Sequence, residues 1–369
     1  MEVGAQKKKV LVTGATGMTG AALVAKLAAE GHQVLAFSRK KLSFFDEHPN
    51  ICWAFGDVQD LDGLCESMKN VDEVFHLAAI ATHWAPDLRN FYRTNVLGTI
   101  NVLKAAQVAH VNKVVITTSA GVTGPPDPQH VAPVDENHVR LVKFFNDYEA
   151  SKAIVHERVQ DFVRQGMNVV IVMPTRIWGP GPLDPKNSVA YLFSRYLKGQ
   201  MVTIPGSGNE IGNFVHVDDV VAGHLLAMRH GKPGERYLIG GENLTMNQLV
   251  DGFEQVGERT AKRLHIPFGL ISTMGRLEAL LSWAFNRHPM STVSTIKRLR
   301  YHCPVSIEKA KYELGYRPDE FLSSLMKTKV WLDDPIQSWP LISNPSHADS
   351  WGNRQTEGLM QSPKAEEIS

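Results

Sequence analysis

The 369-residue chain lacks several features that identify particular classes of protein. Its formal net charge is only +1, so no overall field favours nucleic acid or an anionic membrane as a partner. It has three cysteines, Cys52, Cys65 and Cys303, which are far apart and show no C-x-x-C spacing. Neither a disulfide framework nor a zinc site is indicated, so we expect no metal and a reducing, cytoplasmic compartment.

Long unbroken apolar runs are also absent. The most apolar later segment, residues 266–285, is interrupted by Arg276 and Glu278, which argues against an integral membrane span. We expect a buried or amphipathic helix there, with peripheral membrane contact as the less favoured alternative. The basic N-terminal residues lead into a glycine-rich turn rather than an apolar signal segment, so no export signal is expected.

What the first half of the chain does contain is an alternation of short apolar runs and helical patterns. Strands are predicted at 9–14, 32–39, 50–57, 71–79, 111–119 and 167–174, and helices at 18–30, 61–70, 88–110 and 145–165. Such alternation is typical of a parallel sheet covered on both faces. The expected fold is therefore α/β, a doubly wound Rossmann-type sheet that binds ligands at the carboxyl ends of its strands.

Four segments are expected along the chain. They are an N-terminal extension (1–8), a dinucleotide-binding domain (9–241), a small and mostly helical C-terminal substrate lobe (242–334, joined by 178–212) and a tail (335–369). The tail is polar and rich in Pro, Ser and Asn, so we expect it to be mobile.

The motif TGATGMTG follows the first predicted strand and opens the first predicted helix. Gly14 would allow a tight turn, Gly17 would let the backbone approach a pyrophosphate, and Gly20 would let helix and strand pack closely. The spacing is G-x-x-G-x-x-G rather than the commoner G-x-G-x-x-G. In its strand–loop–helix context the motif predicts a dinucleotide site that also includes Thr16 and Met18.

The second predicted strand ends in Ser38-Arg39-Lys40, without an acidic residue. An acid there would hold the ribose 2′-hydroxyl of NAD, whereas an arginine suits the 2′-phosphate of NADP. We therefore favour NADP(H), with NAD(H) and a plain basic surface cluster as the alternatives. Asp57 and Val58 end the third strand, where adenine is expected. The fourth strand ends in mostly small residues that would let the cofactor pass close to the backbone: Leu77, Ala78 and Ala79.

Tyr148 and Lys152 lie four positions apart in YEASK, which places them on one face of the predicted helix. An ammonium near a phenol favours the phenolate, so the pair could form a proton donor tuned for carbonyl chemistry. By itself the pair is equally compatible with a partly exposed helix turn and an ordinary surface lysine.

The order of the motifs resembles that of the extended short-chain dehydrogenase/reductase superfamily, the NAD-dependent epimerase/dehydratase family. The matching stretches cover roughly residues 8–330 and are TGATGMTG, HLAA (76–79), TNVLGT (94–99), TTSAG (117–121) and YEASK. Within it the chain resembles the dihydroflavonol-reductase-like group, in the stretches HWAPD (83–87), GNFVHVDDVVAGHLLA (212–227) and PGERYLIGGENLT (233–245).

The resemblance implies roles for particular residues. Tyr148 would be the general acid or base, Lys152 would lower its pKa and hold the nicotinamide ribose, and Ser119 would hydrogen-bond the substrate oxygen. Asn95 would support a water-mediated proton relay, with a structural hydrogen bond as the equal alternative. The residues that would meet the nicotinamide carboxamide are Pro174 and Ile177. The candidates for the substrate pocket are His83, Trp84, Arg176 and Trp178, of which the last two could equally order the following loop.

A metal site or a catalytic triad is one interpretation of His216, Asp218 and Asp219. The resemblance instead implies a structural role for this stretch, where a strand leads into a helix. Relatives of this superfamily often form homodimers through two helices from each subunit. Helices 88–110 and 145–165 are the candidates for such contacts here.

The same fold and Tyr/Lys pair also serve nucleotide-sugar epimerases. Those relatives usually carry a phosphate-binding arginine where this chain has Gly212, and they often use tightly held NAD, which fits Arg39 poorly. We therefore expect an NADP(H)-dependent oxidoreductase acting on a ketone or secondary alcohol of a fairly apolar small molecule. The alternatives are an NAD-dependent sugar epimerase or dehydratase and a non-catalytic NADP-binding protein. The intact Ser119, Tyr148 and Lys152 argue against the last.

Overall fold

The computed structural model describes residues 7–40, 48–82, 85, 87–184, 187–273, 275 and 293–334. Its strands are β1 (Lys9–Thr13), β2 (Gln33–Ser38), β3 (Ile51–Phe55), β4 (Glu73–His76), β5 (Lys113–Thr117), β6 (Val169–Pro174), β7 (Arg176–Trp178), β8 (Val202–Pro205), β9 (Ile211–His216), β10 (Arg236–Ile239), β11 (Glu242–Thr245) and β12 (Arg263–Ile266). Its helices are α1 (Met18–Ala29), α2 (Leu61–Ser67), α3 (Arg89–Phe91), α4 (Gly98–Val108), α5 (Asp147–Arg164), α6 (Ser188–Leu197), α7 (Val217–His230), α8 (Met246–Gly257), α9 (Val293–Arg298) and α10 (Phe321–Asp333).

The central sheet is parallel, with the strand order β10-β6-β5-β4-β1-β2-β3. Its inner strands are apolar and β-branched, as expected for strands covered on both faces, and Val10, Val114 and Val170 are wholly buried. The strand order reverses at β1 and β4, since β2 and β3 follow on one side of β1 and β5 and β6 on the other side of β4, and such a switch point opens a crevice at the carboxyl ends of the two strands. The predicted doubly wound α/β fold is confirmed.

A second apolar core lies apart from the main one. It is built from α6, α8, α10 and the strands β8 and β9, with Phe193, Tyr196 and Phe253 at its centre. The strands of this core belong to two small sheets, in which β8 pairs with β12, and β9 pairs with β7 and β11. The region expected to be mostly helical therefore mixes both kinds of element, and its residues Ile307 and Tyr316 pack on the main core.

The single helix predicted over 88–110 is interrupted. Between α3 and α4 the residues Tyr92–Leu97 form a π-helical segment. The carbonyl oxygen of Asn95 in this segment accepts a hydrogen bond from the hydroxyl of Thr99 in α4 at 2.6 Å, and such a side-chain bond competes with the backbone bonds of an α-helix. Hydrophobic periodicity does not detect such a local widening, which is frequent near functional sites.

Several predictions concern residues that the structure does not describe. Most of the N-terminal extension, residues 276–285 of the apolar segment, and the tail over 335–369 lie outside the described residues. Among the helices that are described, none combines the length and the apolar character needed to cross a membrane.

Candidate active site

The loop between β1 and α1 has the tight geometry that its glycines predict. Gly14 has a φ of 69°, and a Cβ built on it would lie 2.7 Å from the backbone nitrogen of Ala78. A Cβ on Gly20 would overlap the carbonyl oxygen of Gly14. Both positions therefore require glycine, for the turn and for close packing of helix on loop.

Gly17 is different, because a Cβ there would overlap no other atom. The nearest atom to a Cβ there would be the carbonyl oxygen of Gly14 at 3.4 Å. Gly17 is the N-cap of α1 and supplies no side-chain cap, so the first amides of the helix point out unsatisfied by a side chain. Free amides at a helix N-terminus are the groups that would bind a pyrophosphate, and its binding here stays a prediction. The side chain of Met18 packs against Gly181, in the loop after β7.

The end of β2 lies beside this loop. The hydroxyls of Thr16 and Ser38 are 3.4 Å apart, and the next residue, Arg39, is exposed. Within the described part of the chain, Arg39 forms no ion pair. Asp57 is partly exposed and accepts a backbone N–H two residues on, whereas the side chain of Val58 is buried against the start of α4.

The end of β4 closes the crevice from the other side. The amide of Leu77 donates to the carbonyl of Thr13 at 3.2 Å, and the amide of Ala78 donates to the Thr13 hydroxyl at 3.2 Å. Leu77, Ala78 and the following Ala79 are all partly exposed. Their backbone therefore packs directly against the glycine loop at Gly14.

Ser119 and Tyr148 meet beyond the end of β5. Ser119 follows that strand in extended conformation, accepts the amide of Gly121 at 3.1 Å and hydrogen-bonds the Tyr148 side chain. The helix α5 begins one residue before Tyr148, since the Asn146 side chain caps it by accepting the amide of Glu149 at 2.9 Å.

Lys152 lies one turn later and is 2% exposed. Its ammonium donates to the carbonyl of Thr117 at 2.8 Å, and burial lowers its pKa to about 8. Nearby, His76 is hydrogen-bonded to the hydroxyls of Thr13 (2.7 Å) and Thr99 (2.9 Å). Burial and the charge of Lys152 lower the pKa of His76 to about 3, so this histidine is neutral.

Burial raises the pKa of Tyr148, and the opposing influences are the hydrogen bond from Ser119 and the positive charge of Arg298. The ammonium of Lys152 is bound to a backbone carbonyl, and its effect on the pKa of Tyr148 stays a prediction. Tyr148 is therefore a phenol at neutral pH, which is the proton-donating form.

Asn95 connects the crevice to α5 from the π-helical segment. Its side chain accepts the amide of Ile80 at 2.8 Å and donates to the Ile80 carbonyl at 3.3 Å and to the Ser151 hydroxyl at 3.0 Å. Ser151 in turn donates to the carbonyl of Tyr148 at 2.8 Å. These contacts fit the alternative in which Asn95 makes structural hydrogen bonds. The water-mediated proton relay through Asn95 stays a prediction.

The candidates near β6 and β7 separate into two groups. Pro174 is buried at the end of β6, and Ile177 is partly exposed on β7, paired with Val215. Trp178 is 1% exposed in the second core, with His216 at 5.1 Å and Phe321 at 5.4 Å between ring centroids. That position fits the alternative in which Trp178 orders the adjacent loop. The candidates outside the described residues are His83 and Trp84.

Arg176 corrects part of the sequence argument. Its guanidinium lies over Gly212, where a Cβ would be 2.8 Å from Nη1, and faces the Phe214 ring at 5.4 Å. Gly212 had indicated that a phosphate-binding cation was missing. The neighbouring strand supplies a cation to the same place.

Sequence reasoning missed a buried ion-pair cluster beside Tyr148. Glu149 is fully buried and pairs with Arg140 at 2.8 Å and with Arg298 at 3.0 Å. The visible signal was only an acidic residue in the first turn of a helix, which the helix dipole explains equally well. One partner, Arg140, lies in the loop before α5, and the other, Arg298, lies 149 positions further along the chain.

His216 has the structural role that was expected of it. It is the N-cap of α7 and accepts the amide of Asp218 at 3.3 Å, and Asp219 accepts the amide of Asp319 at 3.1 Å. In the described part of the chain, no group of three or more His, Cys, Asp or Glu is arranged to hold a metal.

Comparison with known proteins places these observations in context. The sequence model of the NAD dependent epimerase/dehydratase family matches residues 10–240. A Synechocystis protein named as a dihydroflavonol 4-reductase is 31% identical over 88% of this chain and 94% of its own length. Sterol demethylase protein B of Methylococcus capsulatus is 32% identical over 87% of this chain and 97% of its own length.

A similar structure has also been solved. The crystal structure of gox2253 superposes with a TM-score of 0.73 at 29% identity, covering 89% of this chain and 99% of that one.

Proposed function

Because the chain belongs to the NAD dependent epimerase/dehydratase family, and is an NAD(P)-dependent oxidoreductase acting on CH–OH groups, we propose that it uses NADP(H) on a ketone or secondary alcohol. The substrate is a fairly apolar small molecule, and Tyr148 is the general acid or base. The observation that carries the proposal is the meeting of Ser119 and Tyr148 beside a buried Lys152, at the mouth of the glycine-loop crevice.

The chain's own residues would handle the oxygen and its proton. NADP(H), when bound, supplies or accepts the hydride. The hydroxyls of Ser119 and Tyr148 would hydrogen-bond the carbonyl oxygen, and Tyr148 would donate its proton as that oxygen gains charge. Burial keeps Tyr148 protonated at neutral pH, and Lys152, with a pKa of about 8, can exchange protons in the same range.

The choice of NADP(H) depends on Arg39. It is exposed at the end of β2, beside the loop that would hold the pyrophosphate, and without an ion pair among the described residues. A guanidinium there can bind a 2′-phosphate with two parallel hydrogen bonds.

A Tyr148→Phe variant tests the catalytic role. It keeps the ring and removes the hydroxyl, so turnover of a panel of aliphatic and alicyclic ketones should fall by about 100-fold or more. NADPH affinity, followed by cofactor fluorescence, should stay unchanged. The control is Tyr312→Phe, because that side chain is 92% exposed. Unchanged turnover in Tyr148→Phe would remove Tyr148 from the mechanism.

A fluorescence titration with NADPH and NADH tests the cofactor. We expect tighter binding of NADPH, with the preference lost in Arg39→Ala and retained in the surface control Arg158→Ala. Tighter binding of NADH, or bound nucleotide that is not displaced, would favour the second candidate.

That second candidate is an NAD-dependent sugar epimerase or dehydratase. One observation favours it: Arg176 supplies a cation over Gly212, where sugar-nucleotide enzymes of this superfamily usually carry arginine. Binding of a nucleoside diphosphate sugar to the protein, measured by calorimetry, would distinguish it from the reductase.

A further inference from the structure

Arg140, in the loop before α5, is hydrogen-bonded through all three of its guanidinium nitrogens. Nη1 donates to the carbonyl oxygen of Gly121 at 2.5 Å, and Nη2 donates to Oε2 of Glu149 at 2.8 Å. Nε donates to the carbonyl oxygen of Val142 at 2.8 Å, within the loop itself. Only 11% of the side chain is exposed, so water competes little for these bonds. The rigid, planar guanidinium therefore fixes three separate segments of the chain relative to one another.

Two of these segments carry the hydroxyls that the proposed function assigns to the reaction. Gly121 belongs to the tight turn that follows Ser119, and its amide donates to the Ser119 hydroxyl oxygen at 3.1 Å. Glu149 directly follows Tyr148 at the start of α5. The guanidinium thus links the segment of one hydroxyl to the segment of the other, a few residues from the place where the two side chains meet.

Glu149 is the more firmly held end of this link. It is fully buried, its Oε1 accepts Nη1 of Arg298 at 3.0 Å, and its Oε2 also accepts the amide of Phe145 at 3.1 Å. Because these other contacts remain when Arg140 is removed, the carboxylate should keep its place. The turn at Gly121 would then lose its connection to α5.

We propose that Arg140 is a positioning residue, which sets the distance between the Ser119 and Tyr148 hydroxyls by holding the turn after Ser119 to the start of α5. The inference rests on the proposed function and adds to it a residue that acts through its neighbours. Two hydroxyls that bind the same carbonyl oxygen must both lie within hydrogen-bond distance of it, and a displacement of about 1 Å can cost about 100-fold in rate.

A spectroscopic test needs no substrate. In protein labelled with ¹³C at Cζ of tyrosine, the carbon that carries the hydroxyl, the Tyr148 signal is assigned with Tyr148→Phe and reports the hydrogen bond with Ser119. Ser119→Ala should shift this signal in the otherwise unmodified chain, and should shift it by less than half as much in Arg140→Met. Arg140→Lys keeps the charge beside Glu149 but not the planar fork, so the shift should be intermediate. The control Arg158→Met removes an exposed arginine from α5 and should leave the full shift.

Steady-state kinetics give a second test, with NADPH and the ketone of the panel that the unmodified protein reduces fastest. In Arg140→Met, kcat should fall by about tenfold or more, while NADPH affinity, measured by fluorescence, should stay within about twofold. Arg140→Lys should restore part of kcat, and Arg158→Met should retain all of it. A purely stabilising role for Arg140 would leave kcat unchanged when it is measured well below the unfolding temperature of each variant.

Three results would overturn the proposal. They are a full Ser119→Ala shift in Arg140→Met, an unchanged kcat in that variant, and a Tyr148 signal that Ser119→Ala does not move even when Arg140 is present. If Arg140→Met does not fold, a full shift and an unchanged kcat in Arg140→Lys would overturn it instead. A protein that reduces no ketone of the panel would contradict the proposed function, whereas the ¹³C comparison would still decide the role of Arg140.

Discussion

At the scale of single residues, Gly17 and Gly20 show how one loop uses the same residue type for two purposes. A side chain at Gly20 would overlap the backbone of Gly14, whereas a Cβ at Gly17 would come no closer than 3.4 Å to any atom, the carbonyl oxygen of Gly14. Packing within the protein therefore requires Gly20. Packing does not require Gly17, so the approach of a ligand can be the reason for glycine at that position. The glycine pattern in the sequence does not separate these two roles.

Paired alanine substitutions should separate them. Gly17→Ala should cost less than about 1 kcal/mol of unfolding free energy, because only the N-cap preference is lost. It should nevertheless weaken NADPH binding by about tenfold or more, because a methyl group then stands where a phosphate approaches. Gly20→Ala should lower the unfolding free energy by about 1–3 kcal/mol through overpacking. Denaturant titration and NADPH fluorescence measure the two effects.

Equal NADPH affinity in Gly17→Ala and the unmodified protein would contradict the placement of the pyrophosphate over this residue. A fully stable Gly20→Ala would show that the loop can shift without cost.

At the scale of elements, Glu149 joins three parts of the chain. It lies in the first turn of α5, binds Arg140 from the preceding loop, and binds Arg298 at the end of α9. Its Oε2 also accepts the amide of Phe145 at 3.1 Å. Neutralising one acid would therefore leave two guanidinium groups without a counter-charge.

Glu149→Gln should be strongly destabilising for that reason. Breaking a buried ion pair from one side costs about 3–5 kcal/mol, because the remaining charge stays desolvated. We expect a loss of unfolding free energy in that range, and faster hydrogen exchange in α9. The control is Glu157→Gln on the exposed face of the same helix. A change below about 0.5 kcal/mol, typical of an exposed site, would contradict the structural role of the cluster.

At the scale of the whole molecule, three buried histidines connect the central sheet to its helices. His76 joins β1 to α4, His156 in α5 binds the Thr118 hydroxyl, and His224 in α7 binds the Thr117 hydroxyl. Burial is the largest influence on all three, and lowers the pKa of His76 and His156 to about 3 and that of His224 to about 4.

Lowering the pH should therefore destabilise the protein already at pH values well above the pKa that these histidines have in the folded state. The unfolded chain binds protons on histidine near pH 6.5 and the folded chain does not, so stability is complete above that pH and decreases towards pH 3–4. Each histidine should lower the free energy of unfolding by about 2 kcal/mol between pH 7 and pH 5. Denaturant unfolding at both pH values measures it.

In His156→Gln, the difference in unfolding free energy between the two pH values should shrink by that amount, whereas in the exposed control His230→Gln it should not. The same pH dependence in His156→Gln as in the unmodified chain would contradict the burial argument.

The sequence by itself determined the sheet, the glycine loop and the position of the Tyr/Lys pair. These features are local, since strand periodicity, a turn that only glycine tolerates and a four-residue helical spacing are all written in neighbouring residues. The π-helical segment was missed because such a local widening leaves the apolar pattern unchanged.

Only the tertiary structure decided the electrostatics of the site. Arg298 reaches Glu149 across 149 positions of sequence, and Arg176 reaches the space over Gly212 from a neighbouring strand. Burial, which sets the pKa values of Tyr148 and Lys152, is likewise the result of the whole packed fold. Charge interactions depend on distance and desolvation in space, and neither quantity is encoded in the spacing of residues along a chain.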